Sequence, residues 1–191
     1  GARFHFIKKL AETKIIYTIL KMLYAFISYN RKVIIPSKNN RDNKLSCIPD
    51  FNLKYRTLFI LVGLSIAFLL LSNMFQAFEW KSSIMPYILA LASGQFLFQG
   101  LMMIDFDRDL IMEYLGNLTT ILIFGSLLAM PIYITNKIFN YPEYIVSLYF
   151  LIIGLLMIGE HFRRLKLLGL PSRLNFTWLL YWMVVLLIFQ I

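Results

Sequence analysis

The sequence predicts an all-α, polytopic integral membrane protein, with about five transmembrane helices preceded by a basic cytoplasmic amphipathic helical segment. Residues 57–78 form 22 consecutive positions without Asp, Glu, Lys, Arg or His, and about 20 apolar residues of helix cross the hydrocarbon core of a bilayer. The chain is 59% hydrophobic and only 15% charged, whereas a soluble domain is about half apolar and about a quarter charged. The excess apolar residues are therefore expected to face lipid.

Four more apolar stretches follow the first. The predicted spans cover residues 57–78, 84–104, 115–134, 144–161 and 174–191. They divide the chain into a basic helical segment and loop at 1–56 and a membrane domain at 57–191. No internal repeat of useful length is visible, which disfavours an inverted-repeat transporter.

The charges give an orientation for these spans. A net charge of +9 would favour nucleic-acid binding in a soluble protein, but beside several apolar spans it follows from the positive-inside rule, and no nucleic-acid partner is expected. With the N-terminus in the cytoplasm, 17 of the 19 Lys and Arg residues lie inside and 2 outside, and the C-terminus faces outward. The richness in Ile, Lys and Asn is typical of AT-rich bacterial genomes, so the expected location is a bacterial cytoplasmic (inner) membrane.

The first segment, residues 1–32, is predicted to be an amphipathic helix. Apolar residues between Ile15 and Ile27 recur at helical spacing, while Lys14 and Lys21 take the opposite face. Such a helix can lie flat on an anionic membrane or form the outer helix of a soluble domain, and the sequence leaves both open. The chain starts at Gly1 rather than at Met, which fits a processed chain or a fragment.

Polar residues inside the spans are expected to point inward, because they are costly in lipid. Gln95 and Gln99 lie one turn apart, and Ala90 and Gly94 form a small-xxx-small pair that lets another helix approach. These four residues are predicted to mediate helix–helix packing, with a polar pathway or quinone pocket as the alternative. No span carries a carboxylate at mid-membrane, where a proton or ion carrier would place one.

One acidic cluster and one histidine are the candidates for metal or haem binding. Asp105, Asp109 and Glu113 are spaced to share one helix face, and three carboxylates could bind Mg²⁺ or Ca²⁺. A hydrated turn paired with nearby basic residues is the favoured interpretation, so these are weak candidates and no metal site is predicted. His161 has only His5 as a second histidine, which disfavours bis-His haem, and no cofactor is expected.

Basic residues flank the spans, where cations reach lipid phosphates. Contacts with lipid head groups are predicted for Lys54, Arg56, Arg163, Arg164, Lys166 and Arg173. The single cysteine, Cys47, lies in a polar loop near Lys44 and Lys54, and nearby cations can make a thiol reactive. Thiol redox chemistry normally needs a second cysteine, so an unreactive thiol is favoured and no catalytic residue is predicted.

Two short motifs resemble a known family. The stretch Tyr24–Lys32, with its Asn30-Arg31 pair, and the later Cys47-Ile-Pro-Asp50 resemble the C-terminal end of the DCC (Asp-Cys-Cys) thiol-disulfide oxidoreductases. The resemblance covers residues 1–56 and implies a small thioredoxin-like domain. Pro49 stands one position earlier than in the family's turn, and the family's Asp-x-x-Cys-x-x-Cys site, which would lie upstream, is absent here.

The resemblance implies a function as the membrane-anchoring portion of a DCC-like oxidoreductase whose catalytic dithiol is not in this chain. Whether the chain itself takes part in an enzyme reaction stays open, because no catalytic constellation lies within it. The alternative is a non-catalytic integral subunit that scaffolds a larger bacterial envelope complex, and a small-molecule transporter is third. The expected partners are the lipid bilayer and other proteins in the membrane.

Overall fold

The computed structural model describes residues 14–36, 51–77 and 85–189. Within these ranges the chain forms six α-helices and no strand, which confirms the all-α prediction. The helices are α1 (Lys14–Ile34), α2 (Leu53–Ala77), α3 (Met85–Leu101), α4 (Arg108–Phe139), α5 (Glu143–Leu168) and α6 (Arg173–Phe189). Residue Cys47, singled out in the sequence, lies outside the described residues.

Three of the described helices are long and apolar enough to cross a membrane: α2 over Leu53–Met74, α4, and α5. Helices α3 and α6 are each 17 residues long, and the predicted total of five spans is not confirmed. The apolar segment of α5 is only 17% buried within the protein, so side chains such as Leu148, Leu151 and Leu155 face outward. Apolar surface of this extent is suited to lipid contact.

Three helices extend further than the predicted spans, and α4 (Arg108–Phe139) exceeds the predicted 115–134 at both ends. Helix α2 begins at Leu53, so the predicted boundary between residues 56 and 57 falls inside a helix. Helix α5 continues past residue 161 to Leu168, because the Arg, Lys and Leu residues there favour helix. It ends at Gly169, whose φ of 70° is a left-handed C-cap that glycine adopts readily.

Small residues let the central helices approach each other closely. A Cβ atom added at Gly63 of α2 would meet the side chain of Thr119 on α4 and lie 3.0 Å from Cδ1 of Ile123. A Cβ atom at Gly125 would likewise collide with Met157 of α5. Glycine at a helix interface lets backbones pack closely, and here it places α4 between α2 and α5.

Successive helices from α2 to α6 alternate in direction. Gln99 at the end of α3 and Tyr114 near the start of α4 are hydrogen-bonded to each other, and Tyr114 also contacts His161 toward the end of α5. His161 contacts Asn175 at the start of α6, and Arg56 at the start of α2 lies against the same region of α4. We call the end of the bundle marked by these five residues the proximal end.

Candidate anchoring site at the proximal end

The C-terminus of α1 is seated on the proximal end of the bundle. The last carbonyl groups of a helix have no partner within the helix. Here the carbonyl of Val33 accepts hydrogen bonds from Nη1 of Arg164 and from Oγ1 of Thr120, the latter at 3.0 Å. The carbonyl of Ile34 accepts from Nη2 of Arg164 at 3.4 Å. Side chains of α4 and α5 therefore cap α1, and the guanidinium charge also favours the negative end of the helix dipole.

Arg164 is itself held in place on three sides. Its Nε donates to Oε1 of Glu160 at 2.7 Å, and its Nη1 donates to Oδ1 of Asn117 at 2.8 Å. The Glu160 carboxylate also accepts two hydrogen bonds from Arg163, at 2.6 and 2.7 Å. Because Arg164 is 6% exposed and its guanidinium is a planar fork of donors, these partners orient it toward the end of α1.

A second set of contacts ties α1 to the beginning of α2. The amide nitrogen of the fully buried Asn30 donates to the carbonyl of Phe26 at 2.8 Å and to the carbonyl of Tyr55 at 3.1 Å. Nη2 of Arg56 donates to the carbonyl of Tyr29 at 3.4 Å. The rings of Tyr29 and Tyr55 stack with centroids 5.0 Å apart. These contacts fix the last two turns of α1 across the start of α2.

A glycine on α4 makes room for the contacts between the end of α1 and the bundle, which we call the junction. A Cβ atom at Gly116 would lie 2.9 Å from Nη1 of Arg56 and 3.0 Å from Cγ1 of Val33. A Cβ atom there would require Nη1 of Arg56 and Cγ1 of Val33 to shift. Nε and Nη1 of Arg56 and Oδ1 of Asn30 are buried here without a hydrogen-bond partner among the described residues. Burying such atoms costs free energy, and the other contacts of the junction offset that cost.

A polar network lies beside the junction and joins four helices. The hydroxyl of Tyr114 donates to Oε1 of Gln99 at 2.8 Å and lies 3.1 Å from Nε2 of His161. Nδ1 of His161 lies 2.8 Å from Oδ1 of Asn175. Nε2 of Gln99 donates to Oγ1 of Thr177 at 3.3 Å. The network thus links α3 and α4 to α5 and α6 through buried side chains, of which His161 is 1% exposed.

The four residues predicted to mediate helix packing occupy different environments. Gln99 makes the contacts just described, and Gly94 faces α6, where a Cβ atom would lie 2.6 Å from the hydroxyl oxygen of Tyr181. Gln95 is 6% exposed, and neither of its amide atoms has a hydrogen-bond partner within the described part of the chain. Ala90 is exposed. The structure therefore brings Gly94 and Gln99 into helix–helix contacts.

The six cations predicted at lipid head groups separate into two groups. Lys54, Arg163, Lys166 and Arg173 are exposed. Arg56 and Arg164, which are 2% and 6% exposed, lie inside the protein rather than at its surface. The difference arises because both guanidinium groups hydrogen-bond to backbone carbonyls of α1. The position of the two arginines at the ends of apolar stretches does not indicate these partners.

The acidic cluster does not form the shared helix face that its spacing predicts. Helix α4 begins at Arg108, so Asp105 lies in the preceding turn while Asp109 and Glu113 are helical. Among the residues that the structure describes, no three His, Cys, Asp or Glu side chains come together as a metal site would require.

Several residues of the junction carry no sequence signal of their own role. In the sequence, Thr120 and Asn117 are polar residues within a predicted span, and Val33 lies just past the end of the predicted first helix. Asn30 belongs to the Asn30-Arg31 pair that resembles the family and interrupts the apolar residues of α1, but neither feature indicates its hydrogen bond to the carbonyl of Tyr55. A comparison of the chain with protein-family models, with curated proteins and with solved structures found no match.

Proposed function

We propose that this chain is the membrane-anchoring portion of a DCC-like thiol-disulfide oxidoreductase whose catalytic dithiol lies outside it. The observation that carries the proposal is the capping of α1 by Arg164. Helix α1 belongs to the segment that resembles the family. Side chains of α2, α4 and α5 hold its end by hydrogen bonds to its carbonyl groups. Such a junction holds the end of α1 at a fixed place on the bundle, as an anchor that positions a neighbouring domain would require.

The proposal includes five spans, with the N-terminus in the cytoplasm of a bacterium and the C-terminus outside. Support comes from the alternating directions of α2 to α6, which would bring the basic residues around Arg56 and Arg164 to one side of the membrane. Helices α3 and α6, at 17 residues each, reach the lower limit of length for a span.

Cysteine labelling in intact cells tests this topology. Cys47 is replaced by Ser, and a single cysteine is introduced at Asn140, between α4 and α5, or at Ser172, between α5 and α6. Both positions are exposed. A membrane-impermeant thiol reagent is expected to label Asn140→Cys in intact cells and Ser172→Cys only after permeabilisation. Labelling of both positions in intact cells would contradict the orientation.

The oxidoreductase assignment is tested on the protein isolated from its native membrane. An intact mass well above 22.5 kDa, a Cys-x-x-Cys pair in the added sequence, and loss of thiol reductase activity when that pair is changed to Ser are the expected results. A native protein that carries no such pair would overturn the assignment.

The alternative of a scaffold that binds its partners through Gln95 and Gln99 has less support. Both side chains are buried within the protein, and Gln99 already bonds to Tyr114 and Thr177 of this chain. Neither amide is therefore presented on the outer surface of the bundle.

A further inference from the structure

The apolar stripe of α1 continues beyond the part that packs on the bundle. At its C-terminal end Asn30 and Val33 are fully buried, and the ring of Phe26 lies 6.0 Å from that of Phe59 on α2. Further toward the N-terminus, the same stripe is at least half exposed at Ile15, Ile19, Leu20 and Leu23. One continuous apolar face is thus covered by protein at one end and uncovered at the other.

The opposite face of α1 is basic. At 100° per residue, Lys14, Lys21 and Lys32 fall within about 20° of one another, and Lys14 points directly away from Leu23. Helix α1 contains no Asp or Glu. A strong separation of apolar and basic faces is typical of helices that lie in the interface of an anionic membrane.

The position of the junction along the bundle fixes the depth in the membrane at which the exposed part of the stripe begins. The end of α1 contacts Arg56, Gly116 and Arg164, and each of these lies within three residues of an end of one of the predicted apolar stretches (57–78, 115–134 or 144–161). The ends of such stretches mark the boundary between hydrocarbon and head groups. The uncovered stripe therefore leaves the bundle where a bilayer around it would begin.

We propose that the N-terminal half of α1 lies in the interface of the membrane that surrounds the bundle, with the stripe toward the acyl chains. Lys14 and Lys21 then reach anionic head groups, which attract cations near the surface. The occupant of the exposed stripe is lipid rather than a soluble domain, because the stripe is continuous with the surface already docked at the membrane boundary and the charged residues on its back are all basic. This inference goes beyond the anchoring function, which requires only the capped end of the helix.

Nitroxide accessibility in lipid nanodiscs of phosphatidylcholine and phosphatidylglycerol tests the inference on the full chain. In a Cys47→Ser background, a spin label is attached at Ile19→Cys or Leu23→Cys on the stripe, and at Lys21→Cys on the basic face as the matched control. Labels on the stripe are expected to collide more with oxygen, which concentrates in lipid, than with a water-soluble nickel chelate. The label at Lys21→Cys is expected to show the reverse.

Two results would overturn the inference. Stripe labels that collide mainly with the nickel chelate would place the stripe in water, and stripe labels shielded from both reagents would place it under protein. Either result would leave the anchoring proposal intact, because that proposal is tested by the dithiol assay.

Replacing phosphatidylglycerol with phosphatidylcholine is expected to lower the oxygen preference at Leu23→Cys, and an unchanged preference would overturn the role of Lys14 and Lys21.

Discussion

The guanidinium of Arg164 donates a hydrogen bond to the carbonyl of Val33, 131 residues earlier in the chain. Arg164 lies near the C-terminal end of α5, and Val33 is the last residue but one of α1, the helix that precedes the apolar stretches. The contact is buried, and it supplies a partner for a carbonyl that its own helix leaves free. It makes the end of α1 part of the bundle.

Replacing Arg164 with Ala is expected to destabilise the protein strongly. The change removes one of the hydrogen bonds to the carbonyl of Val33. It also removes the hydrogen bond from Arg164 to the buried Oδ1 of Asn117. Leaving a buried acceptor without its donor costs about 1–3 kcal/mol. Unfolding in detergent micelles by heat or denaturant measures the change.

The matched control for that variant is Arg163→Ala. Arg163 bonds the same Glu160 carboxylate, but its side chain is 52% exposed, and exposed ion pairs are worth about 0.5 kcal/mol. Equal losses of stability in Arg163→Ala and Arg164→Ala would mean that the cap on α1 contributes nothing beyond the ion pair.

Replacing Tyr114 with Phe is expected to cost about 2 kcal/mol, because it leaves Oε1 of Gln99 and a nitrogen of His161 buried without their partner. Tyr144→Phe, at a side chain that is 71% exposed, makes the same chemical change at the surface and is expected to be nearly neutral. Thermal unfolding of both variants in one detergent is the measurement. A Tyr114→Phe variant as stable as Tyr144→Phe would show that the network does not stabilise the bundle.

The hydrogen-bond pattern also predicts where His161 carries a hydrogen. Thr177 donates to the carbonyl of Leu174 and accepts from Nε2 of Gln99. Oε1 of Gln99 therefore faces Tyr114, whose hydroxyl hydrogen is used on that oxygen. The hydroxyl oxygen is left to accept from Nε2–H of His161. The bare Nδ1 must then accept from the side-chain nitrogen of Asn175, so the amide of Asn175 is turned to exchange the oxygen that lies 2.8 Å from Nδ1 for its nitrogen.

Nitrogen NMR of ¹⁵N-histidine-labelled protein checks the position of that hydrogen. The His5→Gln background leaves His161 as the one remaining histidine. A protonated Nε2 is the expected result. A ring with hydrogen on Nδ1 alone would mean that Tyr114 donates to His161 and that Gln99 has the opposite orientation.

Replacing Gly63 with Ala is expected to separate α2 from α4. The new methyl group would collide with the branched side chain of Thr119 and crowd Ile123. Overpacking costs about 1–3 kcal/mol, and the gain in helix propensity, about 1 kcal/mol, offsets part of it. The variant is therefore expected to be less stable by about 1 kcal/mol.

The control for this change is Gly154→Ala, since a Cβ atom at Gly154 would meet nothing within 4 Å. It keeps the propensity gain without the clash and is expected to raise stability by up to about 1 kcal/mol. Unfolding of both variants in detergent measures the difference, and a stabilising effect of Gly63→Ala would contradict the close packing of α2 and α4.

The sequence predicts the helices of this protein well because apolar stretches and helical spacing are local properties. It places Leu53 and the residues around Arg163 outside the helices, since charged residues at the end of an apolar stretch look like a boundary even where the helix continues. It assigns Arg56 and Arg164 to lipid because their true partners, the carbonyls of Tyr29 and Val33, are distant in sequence. Every residue has a backbone carbonyl, so no local sequence pattern distinguishes the carbonyls that form this junction.

A disulfide cross-link between α1 and α4 tests the seating of α1 most directly. In a Cys47→Ser background, Val33→Cys is combined with Gly116→Cys, because a Cβ atom at Gly116 would lie 3.0 Å from Cγ1 of Val33, close enough for two sulfur atoms to bond. The control pairs Gly116→Cys with Ile15→Cys, at the exposed end of the same helix. If the bundle holds the end of α1, mild oxidation in membranes cross-links the first pair rapidly and the control pair slowly. Equal rates for the two pairs would contradict the anchoring of α1.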